Sequence, residues 1–215
     1  MSTVELKQQG HIKYVEIDPL KMESVDVHDY PSNLVNRYPN FTGGMFSHPK
    51  GRLINLLITN GKKVYEPAWW DLGSKGTFVV YNNGYTEVIS TRDIKDETGI
   101  KLAFQGFNCD YEVNGSKNLV DSIAKEHWGS DVFRKCYRVG WGYNYRTKKA
   151  MAVLINGTAE DLRQALRALG CVDINNNTCG IGVDAGSMTA VVVGGKIIHV
   201  GDNDRFGMLQ HIIKF

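Results

Sequence analysis

The sequence predicts an α+β fold of largely antiparallel, hairpin-rich sheets with two or three packed helices. Three observations carry this prediction. Apolar runs end repeatedly at glycine-containing turns, which is typical of hairpins. Residues 158–170 carry a full set of helix signals. Strands and helices do not alternate regularly, as a doubly wound parallel sheet would require.

The size and composition are those of a globular protein. The chain has 215 residues, of which 42% are apolar and 22% charged. At 24.0 kDa, a folded chain buries roughly 70% of its unfolded surface, which is enough for a core without disulfides or metals. Because neither an internal repeat nor a clean linker is present, we expect one domain over residues 1–215.

The first half of the chain predicts strands separated by turns. Pro19 ends the first strand, Asn60-Gly61 and Asn82-Asn83-Gly84 mark hairpin turns, and residues 90–101 are polar enough for a loop. Residues 32–37 fit a short helix or a turn, with Ser32 as its cap. The predicted strands share an alternating or continuous apolar pattern: 11–18, 22–28, 52–58, 78–81, 85–89 and 103–107.

The second half contains the clearest helix. Thr158 and Asp161 form a sequence like a capping box, and Gly170 stands where a helix ends in positive φ. Between them the apolar residues recur at i, i+3, i+4 and i+7: Leu162, Ala165, Leu166 and Leu169.

The remaining elements of this half are shorter. Residues 119–127 fit a short helix, and the apolar residues at 208, 209, 212 and 213 have helical spacing. Strands are predicted at 132–143, 150–155, 172–174, 190–193 and 196–200. The first two flank a basic, polar turn at residues 146–149 and should therefore form a hairpin.

Charge and hydropathy exclude several classes of partner. Lys and Arg total 25 against 23 for Asp and Glu, and so small an excess does not indicate a nucleic-acid partner. The sequence contains no run of 18 apolar residues, so it predicts no membrane span. The first ten residues lack the apolar segment of a secretory signal, so we expect a cytoplasmic protein of a bacterium or of a phage-infected host cell. The number of subunits is left open.

The four cysteines, at 109, 136, 171 and 179, form no C-x-x-C pair, which argues against a zinc ribbon or a thioredoxin-type site. In a cytoplasmic setting we expect Cys171 and Cys179 as buried or loop thiols. The sequence does not settle whether these two pair.

Three segments place polar side chains beside glycines, which allow a backbone or a ligand to approach closely. They are residues 42–48 (Thr-Gly-Gly-Met-Phe-Ser-His), 137–141 (Tyr-Arg-Val-Gly-Trp) and 183–189 (Val-Asp-Ala-Gly-Ser-Met-Thr). For any one of them taken singly, a tight turn is the simpler explanation.

Their order along the chain resembles the phosphodiester glycosidase family, to which the uncovering-enzyme domain belongs. Thr42–Phe46 is similar to the family's Asn-Gly-Gly-Phe-Phe loop, and Arg138-Val-Gly140 to its Arg- and Gly-bearing strand. The leucine-rich helix then matches residues 162–170, and Val183–Ser187 is similar to its Leu-Asp-Gly-Gly-Gly-Ser loop, which leads into the hairpin of residues 191–196. The resemblance extends from about residue 11 to residue 200.

The resemblance implies cleavage of the bond between a sugar anomeric carbon and a phosphate oxygen, in a small molecule that bears phosphate. Asp184 would act as nucleophile or base, His48 as acid/base, and Arg138 would grip the phosphate. Gly43 and Gly44 would offer N–H groups to the phosphate.

Other residues would contact the sugar. Thr42 and Ser187, the latter beside Gly186, would bind hydroxyls, and Trp141 or Tyr143 would lie under a ring. The alternatives are that Arg138 pairs with a surface carboxylate, that His48 is solvated, and that Trp141 belongs to the core.

The chain departs from the family pattern at Thr42, where the family has Asn, and at Ala185-Gly186-Ser187, where it has three glycines. A second function therefore stays open: a non-catalytic binding protein that sequesters a nucleotide or sugar-phosphate signal. A third possibility is a structural or host-contact module of a virion. We expect no cofactor. A divalent metal at Asp184 with Asp173 is possible, but the spacing does not specify one.

Overall fold

The computed structural model describes residues 4–43, 47–48, 52–53, 55–65, 75–112, 115–128, 130–185, 189–201 and 208–215. Within these ranges the fold is rich in strands, and every pairing between named strands is antiparallel. The predicted α+β class with largely antiparallel sheets therefore fits, although the strands are more numerous than predicted.

The larger sheet has ten strands. They are β1 (Lys7–Gln9), β2 (Ile12–Ile17), β7 (Leu57–Thr59), β8 (Lys62–Tyr65), β9 (Gly76–Tyr81), β10 (Thr86–Ser90), β11 (Ile100–Asn108), β12 (Cys136–Asn144), β13 (Lys149–Gly157) and β14 (Gly180–Ala185). Their order is β1-β2-β13-β12-β14-β11-β7-β8, with β9 on β11 and β10 on β9. The hairpin predicted around residues 146–149 is confirmed, because Asn144 pairs with Lys149.

The smaller sheet has five strands, and a two-stranded ribbon stands beside it. The sheet contains β3 (Glu23–Asp29), β4 (Phe41–Gly43), β15 (Ala190–Val193), β16 (Lys196–Val200) and β17 (Leu209–Lys214), and the ribbon contains β5 (Ser47–His48) and β6 (Arg52–Leu53). The order in the sheet is β16-β15-β4-β17-β3.

Strand β17 corrects the helix predicted from the spacing of the last apolar residues. Ile213 faces one core, whereas Leu209 and Ile212 face another. A strand covered on both faces has no clean alternation, and a short apolar run of this kind cannot be told from a helix by periodicity.

The described part of the chain contains three α-helices: α1 (Pro31–Leu34), α2 (Leu119–Lys125) and α3 (Ala159–Ala168). The capping box predicted for α3 is confirmed: Thr158 accepts from the Asp161 N–H, and the Asp161 carboxylate accepts from the Thr158 N–H. Gly170 follows with φ of +76°, as its position predicted. The residue at the N-cap position of α1 is Tyr30, which makes no side-chain cap bond, and not Ser32, because the helix already begins at Pro31.

Helix α3 packs directly on β12 because that strand carries glycines on the helix-facing side. A Cβ on Gly140 would lie 2.7 Å from Leu162 Cδ1, and one on Gly142 would lie 2.7 Å from Leu166 Cδ2. The group that approaches Gly140 closely is therefore the side chain of Leu162, not a ligand.

The main core lies between the two large sheets. The larger sheet contributes residues such as Val15 and Trp141, and the smaller sheet contributes Val191, Val193 and Ile213. A second core lies between the larger sheet and α3, and a third lies on the outer face of the smaller sheet, where it includes Leu34 of α1.

Candidate functional site

The pairing of β12 with β14 brings two of the three predicted segments together. Arg138 pairs with Ala185 and Gly140 pairs with Gly182, so the register shifts between them. Asp184 lies in this irregular stretch of β14, where the structure describes its backbone. An irregular stretch of this kind at the end of a strand is a common way to re-aim a side chain at a functional site.

The third segment joins them through β15. Thr42 of β4 pairs with Val191, so Gly43 comes next along β4 and Ala190 next along β15. The preceding residue, Thr189, donates from Oγ1 to the Tyr137 carbonyl oxygen at 3.3 Å. The backbones at 43, 138 and 184–185 therefore converge near one end of β12. Gly44, Gly186 and Ser187 lie outside the described residues.

Arg138 is held inside the protein. Its side chain belongs to a residue that is 1% exposed, and its Nε donates to the Gly157 carbonyl at 3.0 Å. Its Nη2 donates to the carbonyls of Val132 and Arg134. Two of the three guanidinium nitrogens are thus bonded to backbone, which corrects the predicted phosphate grip. Arg138 instead ties the segment before β12 to the end of β13.

Trp141 and Tyr143 are 0% and 4% exposed and belong to the main core. The indole lies 5.8 Å from the Phe104 ring and 5.9 Å from the Phe215 ring between centroids. Trp141 is therefore a core residue, as in the alternative stated above. The predicted platform under a sugar ring is corrected for both Trp141 and Tyr143.

Thr42 is also a core residue. It is 0% exposed and lines a cavity of only about 10 Å³ between the two sheets, beside Val15 and Val191. A sugar hydroxyl does not reach such a position, so the predicted contact is wrong. The cavity holds at most about one water.

His48, the predicted acid/base, lies in β5, where it pairs with Arg52, and the structure describes its backbone. A residue that the sequence did not single out, His199, lies in β16. Its imidazole stacks on Tyr137 with 3.9 Å between ring centroids and 27° between planes. His199 stood in an ordinary alternating strand, and only the pairing of distant segments brings it beside Tyr137.

The cysteines and Asp173 have structural surroundings. All four cysteines are free thiols, and burial raises the pKa of both Cys171 and Cys179, the latter to about 11. The Asp173 carboxylate accepts from the backbone N–H groups of Asn175 and Asn177 and so shapes its own loop. Among the described residues, no group of three His, Cys, Asp or Glu side chains is arranged to hold a metal.

The described helices are all too short or too polar to cross a membrane.

No protein-family model and no curated protein matches this sequence. The fold is similar to that of the catalytic domain of zebrafish N-acetylglucosamine-1-phosphodiester alpha-N-acetylglucosaminidase, a structure auto-inhibited by its pro-peptide. The TM-score is 0.66 at 13% identity, over 99% of this chain and 81% of that one.

Two further solved structures share the fold. A hypothetical protein from Synechocystis gives a TM-score of 0.56 at 9% identity, over 98% of this chain and 61% of that one. A presumed exported protein from Burkholderia pseudomallei K96243 gives 0.55 at 11% identity, over 94% and 73%. At these identities the likeness shows a common fold and does not extend to activity.

Proposed function

We propose that the protein is a hydrolase that cleaves the glycosidic bond of a sugar-1-phosphodiester or of a related nucleotide or sugar-phosphate compound. One observation supports this most: the convergence of the backbones at Gly43, Arg138 and Asp184, which are remote in sequence. Its fold is also similar, over nearly the whole chain, to that of an enzyme named for this chemistry.

In the proposed reaction, the bond between the anomeric carbon and the phosphate oxygen breaks and water supplies the hydroxyl of the released sugar. Asp184 acts as nucleophile or base at the anomeric carbon. The leaving phosphomonoester is a weak base, so acid assistance matters less than in ordinary glycosidases. With Arg138 bonded to backbone carbonyls, the phosphate charge falls to N–H groups of the Gly43-Gly44 segment.

Proton transfer is assigned to a histidine, because the ordinary imidazole pKa lies near neutrality. His48 was predicted for this role from the sequence. His199 is a second candidate because it stacks on Tyr137, which directly precedes Arg138.

The test is the release of sugar from an aryl or nucleotidyl sugar phosphodiester. Asp184→Asn should abolish release while the melting temperature stays that of the wild type. Asp93→Asn, the same change at an exposed aspartate of a distant turn, should keep full activity. Equal turnover by the two variants would refute the assignment of Asp184.

A binding protein on the same scaffold is the second candidate, and one observation favours it. Thr42 stands where the resembled family has asparagine, and its side chain is fully buried, so it offers a ligand no amide. Wild-type protein that binds the phosphodiester in equilibrium dialysis, yet never releases sugar, would favour sequestration over catalysis.

A further inference from the structure

A cleft opens between the edges of the two large sheets. It has a volume of about 370 Å³ and is lined by residues of both sheets: Met22, Glu23, Ser24, Thr59, Asn60, Lys101 and Leu102. We call it the edge cleft. None of these residues belongs to the candidate site described above, and the volume is that of a small-molecule site.

The Lys101 ammonium lies in the edge cleft and joins the two sheets. Its Nζ donates to the Met22 carbonyl oxygen at 2.5 Å. Burial lowers the pKa of Lys101, against the smaller opposing effect of Glu23 and Asp18. An ammonium carries three N–H donors, and Met22 O is its one hydrogen-bond acceptor among the described residues. Lys101 can therefore donate further bonds to a ligand.

The nearest carboxylate of the cleft is already paired. Glu23 forms an ion pair with Lys214 at 2.9 Å, on the neighbouring strand β17. Of the two carboxylates that act on Lys101, those of Glu23 and Asp18, Glu23 is thus already shared with Lys214. The half-buried charge of Lys101 has no carboxylate within ion-pair distance in the described part of the chain, and such a charge favours an anionic partner.

Ser24 adds a hydroxyl to the same cleft. Its Oγ lies 2.7 Å from His211 Nε2 and 3.4 Å from Nδ1. His211 Nδ1 lies 2.5 Å from the Val25 carbonyl oxygen, which can only accept, so Nδ1 carries the ring proton and Nε2 accepts from the Ser24 hydroxyl. The Ser24 proton is therefore already engaged, and the donors left for a ligand in the edge cleft are those of Lys101 and Thr59.

We propose that the edge cleft binds a small molecule through an oxyanion group, a carboxylate or a phosphate. Lys101 supplies the charge and N–H donors, and the hydroxyl of Thr59, which also lines the cleft, donates to a further oxygen. Charge-assisted bonds of this kind are the strong ones in such sites.

The experiment is a titration of the uniformly ¹⁵N-labelled protein with inorganic phosphate, followed by amide chemical shifts, and a second titration with acetate. We expect saturable shifts at Ser24, Thr59, Asn60 and Lys101. Shifts with phosphate alone identify a phosphate site, and shifts with both identify a site for oxyanions in general.

Three variants make the result specific. Lys101→Met should weaken binding by about tenfold or more, since a charge-assisted bond is lost, and Lys101→Arg should restore most of it. Lys117→Met, the same change at an exposed lysine before α2, should bind as the wild type does. Because Lys101→Met also removes the bond to Met22 O, Thr59→Val provides a variant with that bond intact, and it should bind more weakly than the wild type.

Shifts confined to residues near Gly43 and Ala185, or equal affinity in wild type and both cleft variants, would overturn the proposal. Asp184→Asn should bind phosphate in the edge cleft unchanged. Failure of the proposed hydrolase activity would therefore leave this inference standing, and the reverse also holds.

Discussion

The ring of Tyr137 stacks on the imidazole of His199 at 3.9 Å between centroids. Tyr137 is the second residue of β12 in the larger sheet, and His199 lies in β16 at the outer edge of the smaller sheet. The contact joins the two sheets where the segments at 138 and 185 pair. It also places the half-buried imidazole of His199 beside Tyr137, the residue that precedes Arg138 in the chain.

His199→Phe should keep the stacking and remove the proton. If His199 transfers the proton in the proposed reaction, sugar release should fall by about 10²–10⁴-fold, while the melting temperature stays near that of the wild type. The measurement is kcat on an aryl sugar phosphodiester. Full activity in His199→Phe together with loss in His48→Gln would give the role to His48.

Arg138→Ala should destabilise the protein. Three backbone carbonyls lose this donor, two of them in the buried residues Val132 and Gly157, and each buried unsatisfied acceptor costs about 1–3 kcal/mol. We expect the free energy of unfolding, measured in urea, to fall by roughly 3–5 kcal/mol. Arg146→Ala, in the exposed turn between β12 and β13, should change it by no more than about 0.5 kcal/mol. Normal stability with lost phosphate affinity in Arg138→Ala would restore the phosphate grip first predicted.

Gly140→Ala should also destabilise, because the new Cβ meets the end of Leu162 at 2.7 Å. Overpacking of this kind costs about 1–3 kcal/mol, and Leu162→Ala alone costs about 2–5 kcal/mol through the cavity that it leaves. The double variant should be less destabilised than the sum of the two, since the alanine methyl then has room. Strict additivity in urea unfolding would show that α3 does not rest on Gly140.

Stability should fall as the pH is lowered, in part through His211. Burial lowers the pKa of this imidazole from 6.5 to about 4, outweighing the opposing effect of Asp26 and adding to that of His28. The unfolded chain therefore binds more protons than the folded one between about pH 6.5 and 4, and stability contributed by neutral His211 is lost across this window. The full effect is about 3 kcal/mol.

The check compares the wild type with His211→Gln. The difference in unfolding free energy between the two should shrink as the pH falls from 7 to 4, because glutamine does not titrate. The same slope in both proteins would mean that other groups, such as the carboxylates, account for the whole dependence.

Elements specified by local chemistry were predictable from the sequence. Helix α3 follows from Thr158, Asp161 and Gly170, whose effects depend only on nearby backbone. The hairpins at Asn60-Gly61 and around residues 145–148 follow from turn residues in the same way. Strand β17 did not follow, because its apolar residues are shared between two cores.

The candidate site was predictable only in part. Order along the chain indicated that the segments at 43, 138 and 184 belong together, but burial separated their side chains into different roles. Trp141 is a residue type found both in sites and in cores, and Arg138 is buried only because distant backbone carbonyls accept from its guanidinium. Tertiary packing decides both cases. His199 carried no local signal, since its position depends on the pairing of β15 with β16.

Strand β17 lies between β4 and β3, so residues 209–214 complete a sheet whose other members include residues 23–29 and 41–43. During synthesis the smaller sheet is incomplete until residues 209–214 have left the ribosome. Until then β3 and β4 present unpaired edges, which are sites for aggregation. Chaperone binding to nascent chains ending before residue 209 should accordingly exceed binding to chains in which this strand has emerged.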